Sequence, residues 1–90
     1  MRAIMTVVGK DRVGIIAEVS ALLAEANVNI LDISQTILQE YFTMMMLVDL
    51  ARIKTGLPQL RQQLDQLAGK LGMSITLQHE EVFQAMHRVE

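Results

Sequence analysis

The sequence predicts an α+β fold in the order β-α-β-β-α-β: a four-stranded antiparallel sheet, two helices on one of its faces, and a short C-terminal helix. Three observations carry this prediction. The apolar spacing changes from strand period to helix period and back twice along residues 2–78. Turn-forming residues stand at each change: Gly9 and Gly14, Asn27, Gln39-Glu40, and Gly72. The two strand-like runs on either side of Gln39-Glu40 are close enough in sequence to pair as a hairpin.

The first strand spans residues 2–8, where Ala3, Ile4, Met5, Thr6, Val7 and Val8 make a β-rich run ended by Gly9. Its two apolar faces predict cover on both sides. A helix then runs over 11–26. Asp11 is placed to cap it through the amides of Val13 or Gly14. Ile15, Ile16, Val19, Leu22, Leu23 and Ala26 form an apolar stripe of roughly 120° at helical spacing. Asn27 supplies a left-handed stop.

The second strand, 28–38, breaks its own alternation. Val28 and Ile30 share one face, Ile33, Gln35 and Ile37 the other; either a β-bulge near Leu31-Asp32 changes the frame, or both faces are buried, one of them by a partner. The third strand, 41–50, buries Phe42, Met44, Met46, Val48 and Leu50 on one face, while Met45 and Leu47 add apolar surface to the other. With few elements left to cover that second face, self-association is expected.

Pro58 suits a first helical turn, and Leu57, Leu60, Leu64, Leu67 and Leu71 recur along a second helix that ends at Gly72. A fourth strand, 73–78, turns Met73, Ile75 and Leu77 inward and Ser74, Thr76 and Gln78 outward. The tail, 79–90, is helical in character, with Val82, Phe83, Met86 and Val89 on one stripe. The order of elements is that of the ferredoxin-like split βαβ arrangement, which leaves one sheet face open.

Composition removes many activities. Ninety residues make one domain, and one tyrosine and two phenylalanines leave the core to Leu, Ile, Val and seven Met. No cysteine means no disulfide, thiolate metal site or cysteine nucleophile. A net charge of −2, scattered along the chain, argues against nucleic-acid or anionic-membrane binding. Without a signal peptide or a membrane-length apolar run, a cytoplasmic protein is expected.

Catalytic patterns are missing too. Ser20, Ser34 and Ser74 have no histidine in an elbow motif, and His79 and His87 would lie about 12 Å apart on one helix, too far to share a metal ion. The run from Gly9 to Gly14 lacks the Gly-Lys-Ser/Thr ending of a phosphate loop. RNA-recognition domains of this fold stack bases on central-strand aromatics, which the first strand does not have. Arg12 sits where an acylphosphatase-like arginine would, without that family's phosphate cradle. No enzyme activity and no cofactor are expected.

The run Gly9-Lys10-Asp11-Arg12-Val13-Gly14-Ile15-Ile16 is followed by Val19-Ser20-Ala21-Leu22-Leu23, Asn27-Val28-Asn29-Ile30, Asp32-Ile33-Ser34-Gln35-Thr36 and Tyr41-Phe42-Thr43-Met44. Together they resemble an ACT domain of the form found in the glycine cleavage repressor and formyltetrahydrofolate deformylases. The similarity is greatest to the small stand-alone ACT proteins of bacteria and archaea, and covers nearly the whole chain: residues 1–80 as the domain, 81–90 as a helical extension. The resemblance implies a regulatory homodimer, often joined side by side into one eight-stranded sheet, that binds an amino acid at the interface. Carried over, the ligand residues are Asp11, Arg12, Val13, Gly14 and Ile15 in the first loop, with Asn29 and Ile30 opening the second strand and facing them. Backbone amides at Gly14 and Ile15 would take a carboxylate, and the Asn29 side chain an ammonium or carboxylate. Many ACT domains have proline where Val13 stands. The resemblance also implies action in trans on a protein partner that the sequence does not name. The alternative reading is an interaction module whose apolar open face docks another polypeptide.

Overall fold

The computed structural model describes residues 1–86. The strands are β1 (Arg2–Lys10), β2 (Asn29–Leu38), β3 (Tyr41–Asp49) and β4 (Met73–His79), and the helices are α1 (Ile15–Glu25), α2 (Leu57–Leu71) and α3 (Glu80–Met86). The strands form one sheet in the order β2-β3-β1-β4, with every neighbouring pair antiparallel. This is the ferredoxin-like arrangement that the order of elements predicts. Val89 and His87 of the tail lie outside the described residues.

Register sorts the side chains into two faces. On one, Val7 lies between Met44 and Ile75, and Met5 between Met46 and Leu77. These residues are buried together with Val19 and Leu23 of α1 and Leu60 and Leu64 of α2. Every second residue of β3 and β4 thus enters one aliphatic core, as alternation requires. On the other face Ile4 and Thr6 are half-buried and Val8 is exposed, so within the chain β1 is covered on one face and not on both.

The turns follow their residues. α1 ends at Glu25 with Ala26 as its C-cap, and Asn27 takes the left-handed conformation at φ 60°. The Asn27 amide then donates to Ala24 and the Val28 amide to Leu23, the paired bonds of a Schellman stop. Gln39-Glu40 joins β2 to β3 as a hairpin, with Gln39 at φ 57°. The β2–β3 register shifts between Ile30 and Asp32, so the bulge falls where the broken alternation puts it. Gly72 closes α2 at φ 69°.

Gly9 does not end β1, which continues through Lys10. It faces the core between Phe42 and Met73, and a Cβ there would lie 3.2 Å from the Met73 Cα and 2.6 Å from its sulfur. The glycine is needed for close approach of two strands, not for a turn. The apolar stripe of α1 is also narrower than its spacing predicts: Ile16 points away from the core and is 39% exposed.

Candidate functional site

The β1–α1 loop forms at the end of the sheet where β1 stops. The Asp11 amide donates to the Glu40 carbonyl at 2.7 Å, which ties the loop to the β2–β3 hairpin. That bond holds Asp11 at the end of the strand, and Arg12, Val13 and Gly14 then pass before α1 begins at Ile15. Asp11 is therefore not the helix cap. Gly14 holds that position, at φ 95° and ψ 0°, and no side chain caps the helix. Its left-handed conformation, costly to any residue with a Cβ, turns the chain from the strand into the helix.

Consequently the amides of Ile15, Ile16 and Ala17 have no acceptor within α1; the first helical bond runs from the Glu18 amide to the Gly14 carbonyl at 3.0 Å. Space beside Gly14 is open. A Cβ on Gly14 would meet only a Glu18 carboxylate oxygen, at 3.8 Å. Glu18 in turn accepts from the Lys70 ammonium of α2 at 2.7 Å, which offsets an acidic charge close to the start of the helix. Arg12 is exposed, and Val13 is 96% exposed. The loop offers donors and a cation on a solvent-facing corner rather than in a cavity.

Asn29 and Ile30 lie at the other end of the molecule. Asn29 pairs with Asp49 and Ile30 with Val48, in the row of the sheet that holds Arg2, whereas the loop leaves from the row of Lys10. Eight residues of strand separate these rows, about 27 Å. Within one chain the loop residues are brought together, Asn29 and Ile30 are brought together, and the two groups are kept apart.

Asn29 borders a polar cleft of about 600 Å³ shared with Asn27, Asp49 and Arg52. The Asn27 side-chain carboxamide Nδ2 donates to the Arg52 carbonyl at 2.8 Å. Asp49 accepts from the Ala51 amide at 3.0 Å and stands 3.5 Å from the N-terminal ammonium. The backbone hydrogen bond first, then the ammonium, hold its carboxyl below the usual carboxylate range. Sequence reasoning passed over Asp49 and Arg52. The signal was an aspartate two residues before Ala51, at the exit of an apolar strand, where carboxylates commonly cap turns.

Between the two ends runs β2, the free edge of the sheet. Every residue from Leu31 to Leu38 is exposed. Ile33 and Ile37, opposite the buried Met46 and Phe42, are 43% and 51% exposed on the helix side of the sheet. Ile16 is exposed on α1, so apolar side chains stand along an unpaired strand. Among the described residues no helix is long and apolar enough to cross a membrane.

Comparison with known proteins places these features among relatives. The family model described as an ACT domain matches residues 2–78. A UPF0237 protein of Clostridium acetobutylicum is 56% identical over 99% of this chain and 100% of its own length. The solved structure of an ACT domain protein from Streptococcus pneumoniae superposes with a TM-score of 0.79 at 46% identity, covering 97% of this chain and 98% of that one. A formyltetrahydrofolate deformylase from Pseudomonas syringae matches 86% of this chain with 27% of its own, at 26% identity and a TM-score of 0.78. A putative glycine cleavage system transcriptional repressor matches 86% with 44% of its own, at 27% identity and a TM-score of 0.69.

Proposed function

The chain belongs to the ACT-domain family, and on that premise we propose that it is a non-enzymatic regulatory module that pairs through β2 and holds an amino acid between two copies. ACT domains are regulatory modules that bind small ligands. The ligand would lie between the β1–α1 loop of one copy, residues Asp11 to Ile15, and Asn29 and Ile30 of the other. It would act in trans on a protein partner.

The observation that carries this reading is the separation of the two residue groups along an unpaired edge strand. Antiparallel pairing of β2 with β2 of a second copy reverses one chain against the other. Centred near the middle of the strand, such pairing sets Asn29 of the second copy beside the Leu38 end, which the Asp11–Glu40 bond ties to the loop. Two equivalent sites would result, as a twofold axis requires. Pairing would also satisfy the free backbone groups of β2 and cover Ile16, Ile33 and Ile37.

At each site the chemistry suits a zwitterion. The amides of Ile15, Ile16 and Ala17, at the positive end of the α1 dipole, would take a carboxylate. Arg12 would add a cation, and the Asn29 carboxamide oxygen would accept from an ammonium.

Thermal unfolding of the purified protein against the twenty amino acids and common one-carbon metabolites tests the proposal. A ligand at 100 times its dissociation constant adds about 2.7 kcal/mol, which raises the midpoint of a domain this size by roughly 10 °C or more. One saturable shift, abolished in a folded Gly14→Val variant, is the expected result. A shift that survives Gly14→Val would put the ligand elsewhere, and a flat screen would favour docking of a polypeptide.

A further inference from the structure

We infer that the polar cleft beside Asn29 reads the side chain of the ligand and that Arg52 makes it a carboxylate site, so that the amino acid held between two copies is a dicarboxylic one. Resting on the interface site proposed above, this names the class of ligand, which that reading leaves open.

The cleft is built where three elements meet at one end of the sheet. Ala24 and Asn27 come from the end of α1, Asn29 opens β2, Asp49 closes β3, and Arg52 follows it. Hydrogen bonds fix the loop between β3 and α2 in place. The Arg52 carbonyl accepts from Asn27 Nδ2 at 2.8 Å, the Lys54 amide donates to the Ala26 carbonyl at 2.9 Å, and the Ala51 amide donates to the Asp49 carboxylate at 3.0 Å. The Arg52 backbone is thus anchored on both sides, while its side chain stands exposed at the cleft. A loop held in this way loses little entropy when a ligand arrives.

Charge then decides what the cleft takes. Among the described residues that line it, only Asp49 and Arg52 are ionisable. The Asp49 carboxylate is already matched. It accepts from the Ala51 amide, lies 3.5 Å from the N-terminal ammonium, and has Arg2 opposite it in the sheet. Arg2 is in turn held by both carboxylate oxygens of Glu80, at 2.9 and 2.6 Å. The corner therefore carries three cations, the N-terminus, Arg2 and Arg52, against two carboxylates, Asp49 and Glu80. Glu25 and Lys54, the next charges along the chain from Asn27 and Arg52, are opposite in sign, and neither lines the cleft. Arg52 is the cation left over among the described residues. Its guanidinium presents a planar fork of donors that matches a carboxylate.

The rest of the ligand fits around that contact. The α-carboxylate lies on the loop amides of the second copy, and the ammonium on the Asn29 carboxamide oxygen. Ala24 and Asn27 mark the negative end of the α1 dipole, which favours the ammonium on the same side. What extends past Asn29 into the cleft is the side chain, and a second carboxylate there reaches Arg52. A cationic side chain would meet a like charge, and a hydrocarbon one would leave the polar lining unpaired.

Isothermal titration calorimetry of the full chain against L-aspartate, L-glutamate and their amides, L-asparagine and L-glutamine, tests this. Arg52→Gln and Arg52→Lys are titrated beside the parent, each checked for fold by circular dichroism. Both substitutions keep the backbone carbonyl that Asn27 holds. The parent should bind one of the acids about tenfold or more tightly than the matching amide. Arg52→Gln should remove that difference by weakening the acid alone, and Arg52→Lys should restore part of it. An amide bound by the parent as tightly as its acid, or an acid preference that survives Arg52→Gln, would overturn the inference. So would a thermal shift given only by a neutral or basic amino acid; if Gly14→Val abolishes that shift, the interface site still stands. No binding of any amino acid would overturn both.

Discussion

At one edge of the sheet β4 lies beneath α2, with Met73, Ile75 and Leu77 buried and the Arg61 guanidinium donating to the Leu77 carbonyl at 2.6 Å. At the other edge β2 runs from Leu31 to Leu38 without one buried residue. Both strands carry apolar residues on the helix side. What differs is cover: Leu60, Leu64, Leu67 and Leu71 of α2 reach the core, whereas Ile33 and Ile37 of β2 remain open. A strand edge left bare is a place where another strand adds, and an edge bridged by an arginine is not. The contrast directs association to β2 and so favours a closed pair over an open-ended array.

The largest expected difference between the edges is in the energy of single side chains. Leu64→Ala removes a buried contact above the β4 side and should cost about 3 kcal/mol in denaturant unfolding. Ile37→Ala should cost less than about 1 kcal/mol in dilute, unassociated chain, because the side chain has little burial to lose. Its effect should emerge as weaker self-association at higher concentration. Equal costs for the two variants in dilute solution would break the comparison.

Arg61→Ala sharpens it at a smaller scale. Loss of the bond to the Leu77 carbonyl should lower stability by about 1 kcal/mol. It should also unblock the β4 edge, so that light scattering at high concentration shows species larger than the parent assembly. An unchanged mass distribution would mean that α2, rather than the arginine, keeps this edge closed.

The smallest effect belongs to the corner where β3 meets the start of β2. The Asp49 carboxyl titrates lower in the folded chain than in the unfolded one, so its contribution is complete above the unfolded value of about 4 and is lost as pH falls through the lower folded value. Asp49→Asn should therefore flatten the acid side of a stability-against-pH curve and leave the neutral region parallel to the parent. A parent and variant with the same acid slope would remove Asp49 from the account.

Much of this architecture was legible because it is local. The leucine spacing of α2, the alternation in β3 and β4, the bulge at Leu31 and the stop at Asn27 all follow from residues within a few positions of one another, where helix and strand periods act. The loop motif likewise marked the turn into α1. Its geometry was less legible: Asp11 could be assigned as the cap only while its bond to Glu40, twenty-nine positions away, was unknown.

The sequence by itself determined the kind and order of the elements, the residues each could turn inward, and the family to which the chain belongs. Only the tertiary structure decided which apolar residues were covered, leaving Ile16, Ile33 and Ile37 in solvent, pressing Gly9 against Met73, and setting Asn29 a sheet's length from Gly14. Periodicity reports the face a side chain takes on its own element. Whether another element lies over that face depends on contacts between residues far apart in the chain, which no local pattern encodes.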